Sequence, residues 1–140
     1  MGKLIVKKFG GTSVADAERI EAVADNVEAE IQKGNKVTVV LSAMGKSTDD
    51  LIALAKEIDS HPNLREYDAL VSTGEQISVA LLAIALLKRG IKGKSYTAYQ
   101  LGIKTNSTHS RARILDVEVS KITSELNIFP NFSSMFSDLK

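Results

Sequence analysis

The chain has no cysteine and no tryptophan, only two prolines, and 5% aromatic residues. Without cysteine there is no disulfide framework, no thiol nucleophile and no cysteine-ligated metal. An excess of charge of one sign is also missing. Eighteen Lys and Arg face seventeen Asp and Glu, for a formal net charge of +1. That balance argues against a general nucleic-acid binder, which needs a basic face. The two histidines, His61 and His109, lie far apart and belong to no metal-ligand pattern, so both read as surface residues. The longest apolar stretch, Val79 to Leu87, is far below a membrane span. The opening Met1 to Lys8 has too short an apolar run for a signal peptide, and Val6 stands where myristoylation needs Ser or Thr. The expectation is one soluble cytoplasmic domain with no membrane partner. Its 140 residues and 44% hydrophobic content suffice for a core.

Against this background, punctuated apolar segments stand out. Leu4, Ile5 and Val6 read as a short buried strand. Val14, Ala17, Ile20, Ala24, Val27 and Ile31 recur at three- and four-residue steps, an amphipathic helix with Gly34 as its C-terminal stop. Val37 to Leu41 reads as a second strand, so the first forty residues predict a βαβ unit and a parallel sheet. Beyond a small-residue loop, Asp49 and Asp50 open a helix bearing Leu51, Leu54, Ala55 and Ile58, broken around His61-Pro62-Asn63. Leu64, Tyr67, Leu70 and Val71 predict a short helix. Gln76 to about Arg89 predicts a nearly all-apolar one, buried between layers and ended by Gly90. Ser95 to Tyr99 and Arg113 to Leu115 read as strands, and Asp116 as the cap of a helix with Val119, Ile122 and Leu126. The alternation predicts an α/β protein, a mainly parallel sheet layered between helices on both faces. Phe129, Phe132 and Phe136 fall in a final stretch, 127–140, without clean periodicity.

Three segments have the composition of a ligand site. In Lys8-Phe9-Gly10-Gly11-Thr12-Ser13, a strand ends in a glycine pair and runs toward a helix, with Ser13 and Asp16 expected to cap it. Amides and helix dipole there favour an anion, Lys8 adds a positive charge, and phosphate is the natural guest. In Ser42 to Asp49, Gly45-Lys46-Ser47 resembles a nucleotide P-loop, but Val40 occupies the position of the required first glycine. What remains is a loop at the carboxyl end of a strand, where open α/β sheets bind ligands, or an ordinary link capped by Thr48 or Asp49. In Ser72-Thr73-Gly74-Glu75, the hydroxyls suit a helix cap and Glu75 suits the dipole. A carboxylate at a buried helix start can also receive an ammonium group.

Taken together, these segments resemble the N-terminal half of the aspartate kinases in the amino acid kinase family. The resemblance rests on Lys8 to Val14, Val40 to Asp50 and Val71 to Gln76. It extends through Ser95-Tyr96-Thr97, Gly102 to Thr105 and Ala112-Arg113-Ile114, covering about residues 2 to 126. It implies an incomplete amino acid kinase-like α/β/α fold. It also implies ATP-dependent, Mg²⁺-assisted phosphorylation of the L-aspartate side chain to 4-phospho-L-aspartate, the first step of lysine, threonine and methionine biosynthesis. By the same resemblance Lys8 is the catalytic cation, and Lys8, Phe9, Gly10 and Gly11 hold the ATP phosphates. Thr48 and Glu75 bind aspartate, Glu75 through the ammonium, while Ser42 and Gly45 shape the pocket. No protein-held metal is implied.

The family pattern continues with a strand and a Gly-Arg-Gly-Gly-Ser-Asp segment that are absent here. The chain therefore reads as residues 1–126 of such a domain followed by a divergent stretch, 127–140, as a truncated or frame-shifted product would. A homo-oligomer, or pairing with a full-length kinase subunit, is the expected protein partnership. A glutamate kinase-like enzyme and a non-catalytic remnant are the alternatives.

Overall fold

The structure, a computed structural model, describes residues 2–128. The three closing phenylalanines lie outside the described residues. Strand β1 (Leu4–Phe9) pairs in parallel with β2 (Lys36–Leu41), from Leu4 opposite Lys36 to Phe9 opposite Leu41. Helix α1 (Ala17–Gln32) makes the crossover. It ends as the spacing predicts: Gly34 adopts φ +81° and donates to Ile31, while Asn35 donates to Glu30. These bonds satisfy carbonyls that the last turn leaves open.

The predicted cap of α1 needs correction. Ser13 lies within a single 3₁₀ turn, Gly11–Val14, and its N–H donates to Gly10 at 3.0 Å. The capping residue is Asp16, whose carboxylate accepts from the Arg19 N–H at 2.9 Å. A carboxylate of the chain itself thus occupies the positive end of the α1 dipole.

Helices α2 (Ser47–Ile58), α3 (Leu64–Val71) and α4 (Thr73–Lys88) follow. Neither Thr48 nor Asp49 caps α2, which begins after Lys46 with the Ser47 hydroxyl bonded back to Met44. Asn63 caps α3 by accepting from Arg65 and Glu66. Nor do Ser72 and Thr73 cap α4. Ser72 is helical, and the two hydroxyls donate backward to Ala69 and Leu70 at 2.9 and 2.7 Å. With its hydroxyls turned into the preceding turn, the chain passes from α3 to α4 almost without a break. That is why α4 starts three residues before the apolar pattern does. The combined stretch Leu64–Lys88 is long and apolar enough to cross a membrane by length and composition. Here one face of its α4 part enters the interior, while no residue of α3 is buried.

That interior joins Ile20, Val23, Ala24 and Val27 of α1, Val37, Val39 and Leu41 of β2, and Val79, Leu82, Ala85 and Leu86 of α4. Leu82 and Leu86 are fully buried. Each such leucine contributes about 2–5 kcal/mol, judged by truncation to alanine. The other side of α4 is open, with Ile77, Leu81, Ile84 and Leu87 exposed in one row. On β1, Leu4 and Val6 are exposed as well, so the second sheet face expected to be covered is bare along this strand.

Arg89 locks the end of α4 to α1. Its guanidinium reaches Glu21 at 2.6 Å, Asp25 at 2.8 Å and Glu28 at 3.7 Å. The Glu21 carboxyl is held below its ordinary value chiefly by the hydrogen bond from Lys88, with Arg89 adding to it against a partial desolvation.

The segment Ser95–Tyr99 is not a strand. Among the described residues it has no ladder partner, and its end turns over at Ala98–Gly102. The hairpin β3 (Ile103–Thr105) and β4 (Ile114–Val117) is antiparallel and separate from the β1–β2 pair. Helix α5 (Val119–Ile128) follows. Asp116 sits in β4 opposite Lys104 rather than at the α5 cap, and the carbonyl of Glu118 accepts from Lys121 and Ile122 instead. A second, small core gathers Tyr96 and Leu101 beneath Ile122 and Leu126. The α/β class holds, with the described sheet limited to one parallel pair and one hairpin.

Candidate active site

Parallel pairing sends the first two motifs out on the same side. Phe9 and Leu41 are opposite each other at the carboxyl ends of β1 and β2, and the Ser42 N–H continues the ladder to the Phe9 carbonyl at 3.1 Å. Beyond that point the loops touch through their backbones. Gly45 donates to the Gly11 carbonyl at 3.0 Å. A Cβ on Gly11 would stand 2.9 Å from the Ala43 carbonyl oxygen, so the approach excludes any side chain at this position. A Cβ on Gly10, by contrast, would meet nothing within 4 Å, and the space above it is open.

The third motif arrives from α4. Gly74 is buried against the second loop: a Cβ there would lie 3.1 Å from the Ala43 Cβ and 3.8 Å from the Thr48 Oγ1. The next residue is Glu75. Thr48, Gly74 and Glu75 are therefore neighbours at the carboxyl edge of the sheet, although twenty-odd residues separate Thr48 from the α4 start.

Lys8 and Lys7 point to opposite faces of β1. Lys7 reaches α1, where its ammonium bonds to Asn26 at 2.5 Å and Glu30 at 3.4 Å. The Glu30 carboxyl falls to about 2, first through the hydrogen bond from Asn35, then through Lys33. Lys8 is exposed on the other face, two residues before the glycine pair.

Glu75 opens onto a pocket of about 240 Å³. Ser72, Gln76 and Val79 line it from the α4 side, and Tyr96, Thr97, Ala98 and Tyr99 form the opposite wall. That wall is braced internally. The Thr97 N–H donates to the Gln100 side chain at 2.9 Å, and Gln100 donates its own N–H to the Thr97 hydroxyl at 3.3 Å. Lys8, Phe9, Gly10, Gly11, Ser42, Gly45 and Thr48 are not among the residues lining this pocket. Lys8 and Phe9 end β1, with Phe9 packed partly against the main core, Thr48 is in the first turn of α2, and the others lie in the two loops. Sequence reasoning placed Glu75 in a site but missed the Tyr96–Tyr99 wall. The run Ser95-Tyr96-Thr97 reads from sequence as part of a strand and of the family resemblance, but not as a pocket wall. Its one usable signal was Tyr96, an aromatic flanked by polar residues.

Chemically, the arrangement offers one carboxylate inside a small pocket and, beside it, a lysine with exposed glycine and hydroxyl-bearing loops. Such a site can hold a small cationic or zwitterionic molecule next to an anion. Among the described residues no three His, Asp or Glu side chains come together as a metal site.

Comparison with known proteins gives this geometry a family. Residues 3–131 match the family model described as Amino acid kinase family. The chain is 55% identical over 119 residues to an aspartokinase of Geobacillus stearothermophilus, covering 85% of this chain and 29% of that protein. It is 47% identical to aspartokinase 2 of Bacillus subtilis, covering 96% of this chain and 34% of the relative. The chain thus spans about a third of the length of these relatives. Its fold superposes on the crystal structure of an aspartate kinase from Synechocystis with a TM-score of 0.80 at 41% identity, covering 95% of this chain and 21% of that one. It also superposes on E. coli aspartokinase III, solved in complex with aspartate and ADP, with a TM-score of 0.71 at 21% identity; 96% of this chain and 40% of that one are covered. On the family match and these similarities together, the chain belongs to the amino acid kinase family.

Proposed function

We propose that residues 1–126 are the substrate- and phosphate-binding half of an aspartate kinase. The observation that carries this reading is the convergence of the Gly10-Gly11 loop, the Ser42–Ser47 loop and the Glu75 end of α4 at one edge of the sheet. In this reading L-aspartate lies where the Glu75 side of the pocket meets the loop edge, its ammonium on Glu75 and Thr48 in contact with it. Ser42 and Gly45 set the shape of the loop beside it. Lys8, Phe9 and the amides of Gly10 and Gly11 face the phosphates of ATP, and Mg²⁺ arrives with the nucleotide.

The reaction joins a side-chain carboxylate oxygen of aspartate to the γ-phosphorus of ATP and breaks the bond to ADP. The carboxylate is already ionised near neutral pH, so no base is required. The rate depends on alignment and on neutralising the charge spread over the transferring group. Lys8 supplies a full positive charge for that purpose. A soluble, cytoplasmic setting accompanies this role.

A two-dimensional amide NMR titration of the 140-residue chain tests the reading. Shifts of the Thr48, Gly74 and Glu75 amides with L-aspartate, and none with L-glutamate, are the expected result. Equal response to glutamate would move the assignment to a glutamate kinase-like enzyme, and no response to either would remove it.

One observation favours a second reading, a non-catalytic partner of a full-length aspartate kinase subunit. The exposed row Ile77, Leu81, Ile84 and Leu87, with Leu4 and Val6 on β1, is apolar surface that a further protein segment would cover. Co-purification of the tagged chain with an intact kinase subunit would support it.

A further inference from the structure

Tyr96 belongs to two structures at once. It lines the same pocket as Glu75, and it is also 6% exposed within the small core under α5. Its hydroxyl donates to the Glu125 carboxylate, which lies 29 positions later on α5. Lys94 completes the cluster. Its ammonium stands 4.9 Å from the Tyr96 ring centroid and 3.8 Å from the Glu125 carboxylate. Burial, and then the carboxylate, push the Tyr96 hydroxyl well above its ordinary range, so it remains a donor.

We propose that Glu125 is a positioning residue for the substrate pocket, acting through Tyr96; this rests on the aspartate-site reading above. The physical argument concerns what else fixes that wall. The Ser95–Tyr99 segment has no strand partner among the described residues, so no ladder sets its position. Its own turn is tied by Thr97 and Gln100, which fixes its shape but not its distance from α4. Tyr96 is where the segment packs against Ile122 and Leu126 of α5, and Glu125 is the group that receives its hydroxyl. An ionised acceptor makes this a stronger tether than a neutral one. Lys94 stands beside both groups, its ammonium near the carboxylate and over the ring face. Pocket width between Glu75 and Tyr96 is accordingly set by where α5 lies.

The test uses the 140-residue chain and four variants: Glu125→Ala, Glu125→Gln, Tyr96→Phe and the double variant Tyr96→Phe/Glu125→Ala. L-aspartate affinity is measured by calorimetry. The three tyrosines are followed by NMR of ring-labelled tyrosine, with Tyr96→Phe assigning the signal. Glu125→Ala should weaken aspartate binding about tenfold, the scale of one hydrogen bond to a charged group. It should also move the signals of Tyr96 and Tyr99, which share that wall, while leaving Tyr67 in place. Glu125→Gln keeps an acceptor oxygen and should recover most of the affinity. Because both residues act on one contact, the double variant should bind no worse than either single one.

Losses that add in the double variant, or unchanged affinity in Glu125→Ala with a displaced Tyr96 signal, would overturn the positioning role while leaving the aspartate site intact. A parent chain that does not bind aspartate would instead overturn the site reading, and this role with it.

Discussion

Gly45 donates its backbone N–H to the carbonyl of Gly11 at 3.0 Å, joining the two loops that leave the parallel strands. A methyl group on Gly11 would meet the Ala43 carbonyl oxygen at 2.9 Å, and backbone cannot swing aside as a side-chain end can. Gly11→Ala should therefore cost about 1–3 kcal/mol, as overpacking does. Gly10→Ala, whose added carbon meets nothing within 4 Å, should be nearly neutral. Urea unfolding of the two variants against the parent checks the contrast.

Lys8 and Glu75 divide the proposed chemistry, and their variants should fail differently. In a full-length aspartokinase carrying this segment, Lys8→Ala should depress turnover roughly a hundredfold, as loss of a transition-state contact does. Aspartate KM should change little. Glu75→Gln should chiefly raise the aspartate KM. Steady-state kinetics with aspartate varied would show it, and an unchanged turnover in Lys8→Ala would exclude its catalytic role.

Acid should unpick the α1 contacts before the core. The Glu30 carboxyl is lowered from 4.5 to about 2 by Asn35, Lys33 and Lys7, and Glu21 is lowered by Lys88 and Arg89. A carboxyl with a depressed folded value stabilises fully above its unfolded pKa and loses that contribution as pH falls through the folded one. Stability should thus be flat from neutral pH to about 5 and decline between about 4.5 and 2. Glu30→Gln should shallow the decline. Urea midpoints measured from pH 7 to pH 2.5 would reveal both effects.

Arg89 is mostly enclosed, while its acidic partners on α1 are more open. Replacing it by Met keeps much of the apolar stem but leaves Glu21, Asp25 and Glu28 repelling one another along one stripe. Arg89→Met should lower Tm, and added salt should narrow the gap from the parent by screening that repulsion. Calorimetry in low and high NaCl tests it. An equal gap at both salt levels would mean that lost packing dominates.

The βαβ unit was legible because its signals are local. Five of the six apolar positions at helical spacing fall in α1, with Val14 in the 3₁₀ turn before it, and Gly34 ends the helix; a β-branched run fixes β2. The glycine loop was legible as a loop, though not as a 3₁₀ turn, because Ser13 and Asp16 are both good caps and only the geometry selects Asp16. Ser72 and Thr73 misled for a related reason: a hydroxyl can cap the next helix or bond back to the previous one, and sequence does not say which. Ser95–Tyr99 has strand composition, but a strand exists only with a partner, and pairing is non-local. The same non-locality hid the Tyr96 wall, since its relation to Glu75 depends on α5, some thirty residues further along.

The exposed row on α4 also has a colloidal consequence. Ile77, Leu81, Ile84 and Leu87 present greasy surface on a molecule whose net charge is only +1, so little long-range repulsion keeps two copies apart. Concentration should therefore govern this chain's behaviour as strongly as temperature does. Light scattering should grow with protein concentration near neutral pH, where the charge nearly cancels, and subside when a glutamate is placed at Ile84, the most exposed residue of the row.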